Sequence, residues 1–108
     1  MKTIKDLKEG DNVYFVYDNH EYRVGTILDI QELLGFVGRV YSYTFKLMPG
    51  DRNYTEVFQV YSNNLNNNYF YPDNISECIA YLEKEDAIKH IKDSIKTALK
   101  SIDELSKI

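Results

Sequence analysis

Runs of β-branched and aromatic residues, and in places alternating apolar and polar residues, predict β-strands within the first 61 positions of the chain. Residues 12–17, Asn-Val-Tyr-Phe-Val-Tyr, are mostly β-branched or aromatic, which is typical of a strand. Residues 18–21 are polar and tolerate the left-handed conformation, so they predict a hairpin loop. Residues 22–30 are the expected returning strand. One face of that strand carries Val24, Thr26, Leu28 and Ile30.

Gly25 lies inside this second predicted strand, where a glycine indicates a β-bulge or a sharp bend. Residues 31–38 combine apolar residues with two glycines, and their structure stays open. Residues 39–47 alternate cleanly and predict a third strand, which a Pro-Gly turn separates from a fourth strand at 54–61. One face of the third strand carries Tyr41, Tyr43, Phe45 and Leu47. Two antiparallel hairpins therefore predict a β-meander.

The pattern is weaker beyond the polar, Asn-rich loop at 62–68. Residues 69–71, Tyr-Phe-Tyr, predict a short strand that ends before Pro72. Residues 78–82 are compatible with a strand or a helix. We favour a strand, because the acidic residues that follow it suit the first turn of a helix.

Apolar residues spaced by three and four positions then predict an amphipathic helix from Lys84 to Ser106. Its stripe comprises Ile88, Ile91, Ile95, Ala98, Leu99, Ile102 and Leu105. At 1.5 Å per residue such a helix is roughly 36 Å long. Strands of the predicted lengths span only about 20–30 Å. The helix is therefore expected to overhang its own domain.

The composition is that of one small, soluble, acidic domain. The chain has 108 residues, of which 44% are hydrophobic, and 13 Lys and Arg stand against 17 Asp and Glu. No segment approaches the roughly 20 apolar residues of a membrane span. The first residues lack the apolar region of a signal peptide, so export is not expected. We predict an α+β fold in a single domain, with a small antiparallel β-barrel at residues 1–82 and one long C-terminal helix at 83–108. A cytoplasmic location and no membrane association are expected.

Residue usage suggests an origin. Lys, Ile, Asn and Tyr together supply 39 residues, and all four have AT-rich codons. This bias indicates an AT-rich bacterial, phage or mobile-element genome, with a bacterial host cell or a virion as the expected location. The alternative explanation is that Tyr and Ile are simply good strand formers.

Residues 9–30 resemble the opening of small SH3-like barrels, the KOW-type modules in particular. The matching pieces are Gly10-Asp11-x-Val13 and the segment Val24-Gly25-Thr26-Ile27-Leu28-Asp29-Ile30. In such modules a Gly-Asp turn starts the first strand, and a glycine lets the second strand coil around the barrel. The opening at 7–14 and the closing segment at 81–89 also resemble small uncharacterised proteins of phages and gut bacteria. This second resemblance implies a barrel followed by a helix and implies no activity.

Two well-known functions of such barrels fit this chain poorly. KOW-type modules that contact RNA tend to be basic, whereas residues 9–30 hold one Arg against five acidic residues. SH3 domains that bind proline-rich peptides use a tryptophan, and this chain has none. Nucleic-acid binding is therefore disfavoured, and a KOW-like module associated with nucleic acid or ribosomes is the alternative hypothesis.

Catalytic motifs are absent from the sequence. It contains no phosphate-binding glycine loop, no nucleophile elbow and no His-Glu-x-x-His zinc motif. His20 with Asp18 and Glu21 could in principle bind a metal, but a solvated turn is favoured. We expect an exposed His90 and a buried, structural Cys78. The expectation is a protein that is not an enzyme and uses no metal and no cofactor.

The fifteen Tyr and Phe residues exceed what the interior of a small barrel holds. Tyrosine is favoured at recognition surfaces because it buries a large area at low entropic cost. The candidate partner-binding residues flank the first hairpin and the Asn-rich loop: Tyr17, Tyr22, Tyr61, Tyr69 and Tyr71. Alternatively, these rings lie along the outer face of the barrel. We predict a non-catalytic protein-binding module that acts as an inhibitor, an adaptor or a virion component.

The helix stripe also follows a heptad repeat. Its a positions are Ile88, Ile95 and Ile102, and its d positions are Ile91, Ala98 and Leu105. Homo-oligomerisation or partner binding is expected through Ile95, Leu99, Ile102 and Leu105. The small flanking residues Ala87, Ser94 and Ser101 also suit a helix that lies flat on a sheet. We expect that arrangement for the first two turns, with the barrel covering Ile88, Ile91 and Ile95.

Overall fold

A computed structural model of the chain describes residues 2–35, 38–48, 55–61, 64–72 and 77–108. A short 3-10 helix at Ile4–Asp6 precedes six strands and one α-helix. These are β1 (Asn12–Tyr17), β2 (Tyr22–Gly35), β3 (Gly38–Met48), β4 (Thr55–Tyr61), β5 (Tyr69–Phe70), β6 (Cys78–Tyr81) and α1 (Lys84–Ser106). The four predicted strands of the meander and the bounds of the helix are confirmed. The predicted turn at 49–53 lies outside the described residues.

Residues 31–35 and Gly38, whose structure the sequence did not predict, belong to the sheet, since β2 runs on to Gly35 and β3 begins at Gly38. Residues 36 and 37 lie outside the described residues. Residues 78–81 form a strand, as favoured. All neighbouring strands are antiparallel, in the order β4-β3-β2-β1-β6-β5. The sheet curls into a half-barrel that is followed by one C-terminal helix, and the fold is α+β.

The β2 strand contains a bulge at Leu28 and not at Gly25. Ile27 pairs with Phe45 and Asp29 pairs with Thr44, so Leu28 is the inserted residue. The insertion reverses the sides of the strand. Ile27 lies in the core, Leu28 is 47% exposed, and Ile30 packs against the core again. The predicted common face of Val24, Thr26, Leu28 and Ile30 was therefore wrong, because it assumed an uninterrupted period of two.

Gly25 serves a close approach between strands. A Cβ atom at this position would lie 2.6 Å from Cε2 of Phe15 and 3.0 Å from Cδ1 of Phe45. Only a residue without a side chain leaves room for these two rings. The sequence analysis therefore identified Gly25 as a constrained position, but the constraint is the close approach of two aromatic rings and not a bulge.

The core is built around four phenylalanines from four strands: Phe15, Phe45, Phe58 and Phe70. Their ring centroids lie 5.4–6.5 Å apart, which is the range of favourable aromatic pairs. The predicted inward face of β3 is confirmed for Tyr43, Phe45 and Leu47, which are buried, while Tyr41 packs at the margin of the core.

Helix α1 lies on the outer face of the half-barrel, against β1 and β6. Alternation along β1 puts Val13 and Phe15 inside and turns Tyr14 and Val16 outwards. Val16 is nevertheless buried, and Ala87 is the buried residue of the helix. The helix therefore gives the sheet a second, smaller apolar layer.

The half-barrel covers less of the helix than expected. Ile91 is half-buried, but Ile88 and Ile95 are 42% and 46% exposed, so the expected cover of these two residues was wrong. Ile88 is exposed because α1 stands over β1 and β6 and leaves a cleft of about 280 Å³ towards β2. Ile95 opens the part of the helix in which every residue is exposed. The apolar stripe is wider than the strip of sheet it rests on.

Candidate functional site

Three of the five candidate tyrosines line one groove. Tyr61 ends β4, Tyr69 opens β5, and Tyr71 directly follows β5. The groove has a volume of about 420 Å³, within the range of binding sites for small ligands and peptide segments. We call it the seam groove, defined by Gln59, Val60, Tyr61, Asn64, Asn67, Tyr69, Phe70 and Tyr71.

The seam groove lies where the two edges of the sheet meet. Strands β4 and β5 are the first and last in the strand order, and the curl of the sheet brings their ends to opposite walls of one groove. Val60 and Phe70 are buried at its base, and their neighbours along each strand therefore point outwards. Residues from both edges build the site.

Residues 64–67 of the Asn-rich loop, two of which line the groove, are anchored by backbone hydrogen bonds from the 3-10 helix. The backbone N–H of Ile4 donates to the carbonyl of Asn67 at 2.9 Å, and that of Lys5 donates to Leu65 at 3.0 Å. Leu65 also packs against the core. The amide side chains of this loop are thus presented from an anchored backbone.

The three groove tyrosines present their rings to solvent. Tyr61, Tyr69 and Tyr71 are 51%, 37% and 67% exposed. The rings of Tyr69 and Tyr71 meet edge to face, with centroids 5.7 Å apart. This contact restricts both rings and so lowers the side-chain entropy that is lost when a partner covers them.

Amides and phenols supply the polar chemistry of the groove. Among the described residues, none of those lining it is charged. Gln59, Asn64 and Asn67 offer both donors and acceptors, and the tyrosine hydroxyls do the same. This lining suits an uncharged ligand with apolar faces and polar edges.

The other two candidate tyrosines lie elsewhere. Tyr17 is half-buried and packs against the core. Tyr22 is 59% exposed, but it lines the separate apolar cleft between β2 and α1, beside Val24 and Ile88. The five residues therefore do not form one surface.

The structure offers no activated nucleophile at Cys78. The residue is buried, as predicted, and burial raises the pKa of its thiol to about 11. A thiol with a raised pKa stays protonated near neutral pH, whereas a reactive cysteine needs the thiolate. The role of Cys78 is packing.

His20 occupies the left-handed conformation in the exposed hairpin loop, with φ of 69°. Within the ranges that the structure describes, no three His, Cys, Asp or Glu side chains lie close enough to hold a metal ion. The turn at 18–21 is a solvated hairpin in the structure.

His90 is not simply exposed, and this expectation was wrong. Its Nδ1 atom lies 2.6 Å from the hydroxyl oxygen of Tyr81 in a partly buried hydrogen bond. The two rings lie edge to face with centroids 5.6 Å apart, and burial raises the pKa of the tyrosine. The pair ties α1 to β6. It depends on the docking angle of the helix, which the helical pattern alone does not predict.

Replacing Tyr81 with phenylalanine is expected to lower the free energy of unfolding by about 1 kcal/mol, since the ring remains and one hydrogen bond is lost. Urea denaturation followed by circular dichroism measures the change. Tyr22→Phe is the matched control and should have no measurable effect, because this tyrosine is more than half exposed. Equal stability of the two variants would show that the Tyr81–His90 contact does not hold the helix.

The four residues proposed for self-association lie on the far half of the helix. Ile95, Leu99, Ile102 and Leu105 are 46%, 62%, 62% and 71% exposed. Every residue from Ile95 onwards is exposed. The predicted overhang is confirmed, and it leaves an apolar stripe in solvent.

Comparison with known proteins found no matching family model, no similar curated sequence and no similar solved structure. Of the helices among the described residues, none is both long and apolar enough to cross a bilayer.

Proposed function

We propose that this chain is a non-catalytic protein-binding module of the SH3-like type, and that its seam groove holds an extended segment of a protein partner. The observation that carries the proposal is the convergence of Tyr61, Tyr69 and Tyr71 on one uncharged groove between the two edges of the sheet. Exposed tyrosines beside amides are the residue mixture of recognition surfaces.

The position of the groove favours an extended segment. β4 is the last strand on its side of the sheet, and over residues 59–61 no described strand pairs with its outer edge. Such an edge offers backbone donors and acceptors to an added strand. A bound segment can hydrogen-bond to β4 while its side chains contact the tyrosine rings.

The lining of the groove disfavours the KOW-like alternative. Contacts to a phosphate backbone need Lys and Arg, and none lies among the described lining residues. The whole chain is acidic, with a net charge of −4. A protein segment without strong charge matches the groove better than RNA or DNA.

The biological role that follows is that of an inhibitor, an adaptor or a virion component of a phage or mobile element. Each of these roles needs a recognition surface and no catalytic group. The bacterial cytoplasm, where such a protein meets host targets, is the proposed location.

Selection from a library of random peptides on the immobilised full chain tests this function, with the affinities of recovered peptides measured by fluorescence polarisation. Tyr69→Ala and Tyr71→Ala are each expected to weaken binding about tenfold or more, as central aromatic residues do at interfaces. Tyr22→Ala is the matched control, since this tyrosine is exposed outside the groove.

Three outcomes would contradict the proposal. The first is that no peptide is enriched. The second is that enriched peptides bind the groove variants and the wild type equally. The third is tight, salt-sensitive binding of single-stranded RNA or duplex DNA, which would favour the KOW-like alternative instead.

A further inference from the structure

The overhanging part of α1 is an extended apolar feature that the half-barrel leaves uncovered. Residues 95–108, which we call the free half-helix, are all exposed. Their apolar side chains are Ile95, Ala98, Leu99, Ile102, Leu105 and Ile108. A continuous apolar stripe of this kind on a soluble protein marks an interaction surface.

We propose that the free half-helix pairs with the free half-helix of a second copy of this chain, in an antiparallel and symmetric arrangement. This inference is independent of the seam groove, because the two surfaces share no residue. It specifies the occupant of the stripe, the direction of the pair and its register.

Three ion pairs close within the helix itself and need no charged partner. Lys89 pairs with Asp93, Lys100 with Glu104 and Lys107 with Asp103, at N–O distances of 2.9, 4.0 and 3.1 Å. These partners are four residues apart, so the ion pairs close within one helix. The stripe itself is uncharged, and a second copy of the chain offers an apolar surface of the same length and spacing to cover it.

The heptad spacing supplies the packing. Ile95 and Ile102 occupy a positions, and Ala98 and Leu105 occupy d positions, as a helix–helix seam requires. The flanking g positions are Ser94 and Ser101, whose small side chains permit a close approach of two helices. The same flanks lack the charged pairs that usually direct a parallel coiled coil.

The direction follows from where the half-barrel sits. The apolar stripe is one continuous helix face, and its first half rests on the protein's own sheet, where Ala87 is buried and Ile91 is half-buried. A parallel partner running along this face would enter the space that the half-barrel occupies. An antiparallel partner covers the free half-helix and only the three residues before it, and it keeps the two half-barrels at opposite ends.

A symmetric overlap of residues 92–108 fulfils these conditions and is about 25 Å long. In this register Ile95 packs against the partner's Leu105, and Ala98 packs against the partner's Ile102. Leu99 and Ser101 lie beside the twofold axis, each next to the same residue of the second copy. No like charges face each other across the seam.

The size of the seam predicts a weak dimer. It buries on the order of 500 Å² per copy, below the roughly 800 Å² per partner of a standard stable interface. We therefore expect a monomer–dimer equilibrium in the micromolar range, detected as a concentration-dependent mass.

Sedimentation equilibrium of the full chain over a wide range of concentrations tests the pairing. Ile102→Asp is expected to weaken dimerisation at least about tenfold, since it places a charge in the seam. Thr97→Asp is the matched control on the outer side of the same helix and should leave the dimer unchanged. Circular dichroism checks that both variants keep their helix. A wild-type chain that is monomeric at all concentrations, or two variants that dimerise equally, would overturn the proposal.

Oxidative cross-linking tests the direction of the pair. Ser101→Cys lies beside the proposed twofold axis and should form a covalent dimer rapidly. Ser106→Cys lies about 20 Å from its copy in the antiparallel register and should cross-link at least tenfold more slowly. A parallel pair would bring both cysteines equally close to their copies, so equal rates would refute the antiparallel arrangement. The wild type, whose only cysteine is buried, is the blank.

Discussion

Replacing Phe15 with alanine is expected to lower the free energy of unfolding by about 3–5 kcal/mol. Phe15 is fully buried at the centre of the core, and its ring contacts those of Phe45, Phe58 and Phe70. The substitution leaves a cavity where the ring was. Because four strands supply these rings, this cavity would loosen the sheet on both sides of β1. A domain of this size has a total stability of roughly 5–15 kcal/mol, so this loss removes between about a fifth and nearly all of it, and the variant should unfold at a much lower urea concentration.

Urea denaturation of both proteins measures this loss, with Leu34→Ala as the control. Leu34 is 88% exposed on β2, and its removal should change stability by less than about 0.5 kcal/mol. A loss at Phe15 no larger than the loss at Leu34 would mean that the four rings do not form the stabilising core. Thermal unfolding should rank the variants in the same order.

Elements with a strong, unbroken period were predictable from the sequence. The inward face of β3 and the bounds of α1 follow from residues that repeat every two or every three to four positions, and the strand at 12–17 follows from its run of β-branched and aromatic residues. Their patterns are local, and burial of one face is enough to select them. The α+β class and the overhang of the helix follow from these elements and their lengths.

Features that depend on one residue, or on the docking of two elements, were not predictable. The inserted Leu28 carries no signal of its own, since a leucine fits either side of a strand, yet it shifts every later side chain of β2 to the other face. The contact between Tyr81 and His90 depends on how α1 meets β6. The exposure of Ile88 depends on the same angle.

The tyrosines of the candidate site were predictable from the sequence, but their convergence on one groove was not. An excess of tyrosine beside a polar, Asn-rich loop indicates a recognition surface, and the sequence singled out Tyr61, Tyr69 and Tyr71 on that ground. Their convergence depends on the curl of the sheet, which joins the edges β4 and β5. Tyr17 and Tyr22 carry the same local signal but lie apart, because they flank a hairpin in the middle of the sheet.

Peptide binding and dimerisation are expected to be separable, because the two surfaces proposed for them share no residue. The seam groove belongs to the sheet edges, and the free half-helix belongs to the end of α1. Peptide binding should survive Ile102→Asp, and dimerisation should survive Tyr71→Ala. A dimer would carry two seam grooves and so gain avidity for a partner with repeated segments, as on an assembled surface.

Replacing Gly25 with alanine is expected to destabilise the protein by about 1–3 kcal/mol, although alanine is the smallest change available. The new Cβ atom would lie 2.6 Å from Cε2 of Phe15 and 3.1 Å from Cδ2 of Leu47. Phe15 is packed between three other rings and cannot retreat without opening the core. The cost therefore arises from overpacking, and the backbone of Gly25 plays no part in it.

A double-mutant cycle with Phe15→Leu separates overpacking from other causes. Leucine lacks the ring atom that meets the new methyl group, so Gly25→Ala should cost at least about 0.5 kcal/mol less in the Phe15→Leu background than in the wild type. Gly10→Ala is the control. Gly10 has φ of +89°, and a Cβ atom there would meet no other atom within 4 Å. Its cost of about 1 kcal/mol therefore comes from backbone strain and should be the same in both backgrounds. Additive losses at Gly25 as well would show that the close approach to Phe15 is not what requires a glycine there.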